Sequence, residues 1–134
     1  MSTRKILLSL IALMSALSAC GGSDAANAVT EFSVSAQEFE FSPSSWTVAA
    51  NSDVNITFTN DGSVDHEWAV LTEGTNISSG DEFNEEIVLW EVEAIPAGDT
   101  VTETFNFAPG TYQVICALEG HLDAGMTGTL TVEG

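Results

Sequence analysis

One short stretch near the C-terminus, VICALEGHLDAGMTG at residues 114–128, combines three side chains that can bind a metal. Cys116, His121 and Met126 follow one another with four residues between each pair. The chain has only two histidines, and the other, His66, lies fifty residues before Cys116. Two imidazoles, a thiolate and a thioether are the ligands of a mononuclear type 1 (blue) copper site, in which the methionine is a weak axial ligand. We therefore predict one copper ion bound by these four residues.

The residues around the ligands fit this chemistry. Thiolate and imidazole suit both oxidation states of copper, so neither state imposes its own geometry and reorganisation on electron transfer is small. Gly120 and Gly125 directly precede His121 and Met126, and glycine tolerates the backbone angles that a tightly folded ligand loop needs. The alternative is coincidence, since a single methionine in a β protein is usually a core residue and a single histidine usually lies at the surface.

Other uses of these residues are excluded or weak. Because both histidines are already used, no second histidine site remains for a catalytic copper or a trinuclear cluster, and a binuclear site would need two cysteines in one loop. Nucleophilic catalysis by Cys116 with His121 lacks an evident oxyanion site or orienting group. We therefore expect an electron carrier and not an enzyme.

The N-terminal residues are typical of an export signal. Residues 1–19 have a short basic start followed by about a dozen apolar residues, too few for a membrane span of about 20. The sequence LSAC at 17–20 resembles a bacterial lipoprotein box, so we predict a signal peptide over 1–19 and lipidation of Cys20. A plain secretory peptide is the alternative. Residues 20–29 would then form a lipidated, flexible tether, and the protein would be anchored to the outer face of the cytoplasmic membrane or the cell surface.

The charge is strongly one-sided. Twenty Asp and Glu stand against two Lys and Arg, which gives a net charge of −18. Cleavage before Cys20 would leave 115 of the 134 residues and remove both basic residues, Arg4 and Lys5, so that the net charge becomes −20. Such a surface excludes nucleic acid, which is bound through Lys and Arg. It favours cationic partners, or a saline habitat in which salt screens self-repulsion.

Residues 30–134 are predicted to form one all-β domain. Short runs that alternate apolar and polar residues are separated by breakers such as Asp61 with Gly62 and Pro109 with Gly110. We count seven or eight strands, which indicates a Greek-key β-sandwich. The polar segment 73–86 is long for a hairpin, and either a solvated loop or a short helix fits it.

The segment PGTYQVICALEGHLDAGMTGTLTV, with FTNDGSVDHEWAVL upstream, resembles the cupredoxin family, the blue copper proteins that include plastocyanin, azurin and auracyanin. The four-and-four spacing matches auracyanins best. The resemblance implies a β-sandwich with copper at one end and electron exchange through an apolar rim around His121. One residue departs from the family pattern: Glu67 follows the first histidine where many members have an asparagine that ties the ligand loops together. A carboxylate cannot replace the amide as a donor.

Three functions remain to be distinguished. The first is a membrane-anchored, monomeric carrier that passes single electrons between redox proteins, such as basic cytochromes or a respiratory or photosynthetic membrane complex. The second is a copper-binding and delivery lipoprotein without a redox role. The third is a structural β-sandwich without metal.

Overall fold

Alternating apolar and polar residues form nine strands in the computed structural model, which describes residues 28–134. In β4, for example, Val54, Ile56 and Phe58 are fully buried while Asn55 between them is exposed. The strands are β1 (Glu31–Gln37), β2 (Glu40–Ser42), β3 (Ser45–Ala49), β4 (Val54–Asn60), β5 (His66–Leu71), β6 (Val88–Ile95), β7 (Thr100–Phe105), β8 (Gly110–Ile115) and β9 (Thr127–Glu133).

The strands make two sheets that share one core. One sheet has the order β2-β1-β4-β7 and the other β3-β9-β8-β5-β6. The pairs β1–β4 and β3–β9 are parallel, whereas the remaining neighbours are antiparallel, because the chain crosses repeatedly from one sheet to the other. This topology confirms the all-β Greek-key sandwich. The strand count exceeds the expected seven or eight because the segment from Glu31 to Ser42 turns back on itself and forms two strands, β1 and β2.

The centre of the core is Trp68, which has no exposed surface. Its ring lies 5.4 to 6.1 Å from four other aromatic rings, those of Phe32, Trp46, Trp90 and Phe105. Truncating a buried tryptophan typically costs about 3–5 kcal/mol. Since Trp68 is the second residue after His66 on β5, this cluster forms a rigid base beneath one end of the sandwich.

The segment between β5 and β6 is an ordered part of the fold with short helical turns. Two 3-10 helices occupy Gly80–Glu82 and Glu85–Ile87. The first is held by the Glu82 carboxylate, which accepts hydrogen bonds from the amides of Ser78 and Ser79. A second, smaller core contains Leu71, Ile115 and Leu122. Three apolar residues of the segment pack against it: Ile77, Phe83 and Ile87. Of the two alternatives left open for residues 73–86, a solvated loop or a short helix, the structure combines elements of both, since each helix is a single 3-10 turn within a longer loop.

The predicted signal peptide and Cys20 lie outside the described residues. Within residues 28–134, no helix is long and apolar enough to span a membrane.

Candidate metal centre

Two neighbouring strands and one tight turn bring the predicted ligands together. His66 is the first residue of β5, and Cys116 directly follows β8, the antiparallel neighbour of β5. His121 and Met126 lie in the turn between β8 and β9. The turn is closed by hydrogen bonds from the Met126 amide to the His121 carbonyl at 3.0 Å and from the Cys116 amide to the Met126 carbonyl at 3.2 Å. The two loop glycines have positive φ angles, as expected: 79° at Gly120 and 102° at Gly125.

The side chains converge at one end of the sandwich. The candidate ligand atoms of His66, Cys116 and His121 all lie within 4.8 Å of one another. Cys116 Sγ is 3.2 Å from His121 Nδ1, and the two imidazole centroids are 5.1 Å apart. His66, Cys116 and Met126 have no exposed surface, whereas His121 is partly exposed. The four residues are therefore placed to bind one copper ion, with His121 as the side that faces solvent.

The tautomer of His66 follows from its surroundings. Its Nε2 lies 3.3 Å from Glu38 Oε1, and because an ionised carboxylate can only accept, Nε2 must carry the proton. The other nitrogen, Nδ1, is buried and has no hydrogen-bond partner. Buried polar atoms are normally satisfied, so an unpartnered lone pair next to a thiol and a second imidazole fits a metal ligand.

The Cys116 thiol also fits a metal-binding role. Burial raises the pKa of this thiol to about 11, which hydrogen bonds from the Glu67 and Leu118 amides only partly offset. The Glu67 backbone amide donates to Cys116 Sγ at 3.5 Å. A buried thiolate needs a compensating positive charge, and a bound cation supplies it. The pKa of His121 is lowered, mainly by burial and then by the nearby His66, so its imidazole stays neutral and able to ligate.

Glu67 ties the two ligand segments together, although in a different way from an asparagine. Its Oε1 accepts a hydrogen bond of 2.7 Å from the Ala117 amide, directly after Cys116. That a carboxylate cannot act as a donor does not matter here, because this tie needs an acceptor and a carboxylate is a strong one. Burial raises the pKa of Glu67, and the charges of Glu91 and Glu85 raise it further.

Sequence reasoning missed two residues at this end of the molecule. Glu38 and Phe39 lie in the turn between β1 and β2. Hydrogen bonds from the Ser63 and Val64 amides, with a smaller contribution from His66, lower the pKa of Glu38 to about 2. The Phe39 ring stands edge-on to His121, with ring centroids 4.9 Å apart, and is 39% exposed. Nothing in the local sequence signals these contacts, because they depend on how distant strands pack.

Comparison with known proteins agrees with this geometry. The family model of the cupredoxin-like domain matches residues 6–132. The chain belongs to the cupredoxin family. Among curated proteins it is similar to Auracyanin-B of Chloroflexus aurantiacus, with 30% identity over 138 residues that cover 87% of this chain and 59% of that protein. This cupredoxin therefore spans less than two thirds of the length of that relative.

Solved structures of other cupredoxins resemble the chain over most of its length. Reduced auracyanin from Roseiflexus castenholzii superposes with a TM-score of 0.69 at 21% identity, covering 78% of this chain and 98% of that one; at this identity the likeness shows the fold alone. Auracyanin A of Chloroflexus aurantiacus, described as a "blue" copper protein, superposes with a TM-score of 0.63 at 27% identity, covering 76% and 97%. Family and donor set together identify copper as the cofactor.

Proposed function

We propose that this protein is a one-electron carrier in which His66, Cys116 and His121 ligate a single type 1 copper ion and Met126 is its weak axial ligand. The observation that carries the proposal is the meeting of a buried thiol and two imidazole nitrogens within 4.8 Å at one end of a cupredoxin sandwich. Bound copper would supply the redox couple Cu(I)/Cu(II).

The residues of the chain perform the remaining tasks of a carrier. His66 and Cys116 are fully buried and would hold the copper away from bulk solvent. Electron transfer would be outer-sphere, without binding a substrate or breaking a bond. The short turn through Gly120 and Gly125 and the tie between Glu67 and Ala117 hold the donor atoms in fixed positions. Preformed ligand positions keep the reorganisation between oxidation states small. Electrons would enter and leave at the partly exposed edge of His121.

Location and partners form the second part of the proposal. The basic and apolar start of the chain and the sequence before Cys20 support export and a lipid anchor at the outer face of the membrane or the cell surface. The net charge of −18 supports a cationic redox partner, such as a basic cytochrome or a respiratory or photosynthetic membrane complex with a basic docking face. We expect the carrier to be a monomer, since it needs His121 free to meet a partner.

Adding Cu(II) to the purified, metal-free protein tests the function. We expect one copper per chain and an intense thiolate-to-copper charge-transfer band that reductant bleaches and oxidant restores. Cys116→Ser should abolish the band. A matched control, Ser63→Ala, changes an exposed side chain near the site and should leave the band in place. A colourless protein that still binds Cu(I) would indicate copper delivery, and absence of stoichiometric copper would indicate a structural role.

A further inference from the structure

We propose that Glu38 is a positioning residue of the metal centre, whose carboxylate fixes the proton of His66 on Nε2 and whose negative charge lowers the reduction potential of the bound copper. This inference rests on the proposed function. It concerns a residue of the β1–β2 turn, which is distant in the sequence from both segments that supply the ligands.

The contacts of Glu38 converge on one oxygen. Glu38 Oε1 accepts hydrogen bonds from the Ser63 amide at 2.6 Å and the Val64 amide at 3.0 Å, and it lies 3.3 Å from His66 Nε2. The side chain of Glu38 is 31% exposed, and that of His66 is fully buried. Two backbone donors thus hold the carboxylate in place. The same oxygen also faces the imidazole of His66.

Gly62 leaves the space that this arrangement needs. A Cβ atom at position 62 would lie 2.4 Å from Glu38 Oε1 and 2.9 Å from His66 Nε2, closer than real contacts allow. Any other residue at this position would push the carboxylate away from the imidazole. The absence of a side chain here therefore permits the contact between Glu38 and His66.

The donors themselves belong to a fixed segment. Asn60 is fully buried, and its Nδ2 donates to the Val64 carbonyl at 2.8 Å and to the Ile95 carbonyl at 2.9 Å. Its Oδ1 accepts from the Gly62 amide at 2.9 Å. All these bonds involve a buried amide, so the turn before His66 has little freedom to move. Glu38 is consequently held by a rigid frame and does not depend on a flexible surface loop.

The electrostatic consequence follows from simple chemistry. A carboxylate that accepts the Nε2 proton makes the other imidazole nitrogen a stronger donor to a metal. A fixed negative charge also favours the more positive oxidation state, Cu(II), over Cu(I). Both effects act in the same direction, and both lower the reduction potential relative to a site with a neutral group in place of Glu38.

Three variants, compared with the native protein in two measurements, test the proposal. In Glu38→Gln the amide oxygen can still accept from His66, but the charge is lost; Glu40→Gln removes an exposed charge two residues away. Voltammetry of the copper proteins should show a higher potential in Glu38→Gln, by roughly 59 mV, which is a tenfold change in the equilibrium constant of a one-electron reduction. The blue band should remain in both variants. The reduction potential of Glu40→Gln should differ from that of the native protein by only a small fraction of that shift.

The second measurement needs no copper. Nitrogen-15 NMR of the metal-free native protein should show His66 as a single Nε2-protonated tautomer, and Glu38→Ala should give a mixture of both tautomers. A native protein without a reversible blue couple would overturn the proposed function and this inference together. A blue native protein in which Glu38→Gln and Glu40→Gln have equal potentials would overturn only the role of Glu38, as would a His66 tautomer that does not respond to Glu38→Ala.

Discussion

Glu67 Oε1 accepts a hydrogen bond from the Ala117 amide at 2.7 Å, which joins the strand of the first histidine ligand to the residue after the cysteine ligand. The contact spans fifty residues of chain. It complements the Glu67 amide, which points at Cys116 Sγ. Glu67 therefore contacts the segment that contains Cys116 through both its backbone and its side chain.

Separate changes at Glu67 can distinguish the hydrogen bond from the charge. In Glu67→Ala the Ala117 amide loses its partner, so we expect the free energy of unfolding to fall by about 1–2 kcal/mol. Glu67→Gln keeps an acceptor and removes the repulsion from Glu85 and Glu91, so its stability should equal or exceed that of the native protein. Urea unfolding of the metal-free proteins measures both. Equal losses in the two variants would show that the charge, and not the acceptor, is what the fold requires.

The proposed axial role of Met126 predicts a change in reduction potential without loss of copper. Met126 is fully buried, and leucine has a similar volume, so Met126→Leu should cost less than about 1.5 kcal/mol. Because the axial ligand tunes the couple, removal of the thioether should raise the reduction potential and preserve the charge-transfer band. Voltammetry and absorption spectra check this expectation. Loss of copper binding would contradict a merely axial role.

Packing below the ligand turn predicts an effect on copper retention. Leu122 follows His121 and is 6% exposed, in the small core that the segment before β6 covers. Leu122→Ala should lower the free energy of unfolding by about 2 kcal/mol, at the low end for buried leucine because the cluster lies near the surface. A less constrained turn should also release copper faster to a chelator. Leu89→Ala, at a position that is 45% exposed, is the matched control and should release copper at the native rate.

Acidic residues away from the metal predict how stability depends on pH. Burial, followed by the charges of Glu85 and Glu93, raises the pKa of Glu91 above its usual 4.5. A carboxyl group with a raised pKa in the folded state destabilises the fold when ionised. The thermal midpoint should therefore rise as the pH falls from 7 towards 4.5, and Glu91→Gln should reduce this rise. Calorimetry across this range measures the effect; a rise of equal size in Glu91→Gln would assign it to other groups.

Glu82 has the opposite effect at lower pH. Hydrogen bonds from the backbone and hydroxyl of Ser78 lower its pKa below 4.5. The stability that the ionised carboxylate contributes is present above pH 4.5 and is lost as the pH falls through the lowered value. Stability should consequently pass through a maximum and decline in strong acid, and Glu82→Gln should make that decline shallower.

The four candidate ligands could be named from the sequence because the prediction needs only residue types, the spacing within one loop and the small number of histidines. Cys116, His121 and Met126 share one turn, and His66 is the only other histidine. The alternation of apolar residues in strands such as β4 likewise predicted the two-layer core. The spacing within the C-terminal loop and the alternation within strands are short-range signals, and tertiary contacts did not override them.

The features that the sequence did not predict depend on contacts between distant segments. Glu38 reaches His66 only because β1 pairs with β4, whose end leads into the turn at Ser63 and Val64. The segment before β6 gives the pattern of a solvated loop because polar residues surround Ile77 and acidic residues flank Phe83, although both side chains pack inward. Alternation and spacing carry no information about such pairings.

On the outer surface of the sheet β2-β1-β4-β7, uncharged side chains join strands β4 and β7. Two hydroxyl pairs link these strands, Thr57 with Thr102 at 3.3 Å and Thr59 with Thr100 at 3.0 Å, and Thr104 donates to Asn55 at 2.7 Å. Residues 28–134 contain no Lys or Arg, so no salt bridge of a Lys or Arg with a carboxylate stabilises the surface of this part of the chain. Cross-strand hydroxyl bonds are insensitive to ionic strength, whereas repulsion between carboxylates is screened by it. Concentrated brine therefore relieves the repulsion and leaves the neutral cross-strand bonds of the sheet intact.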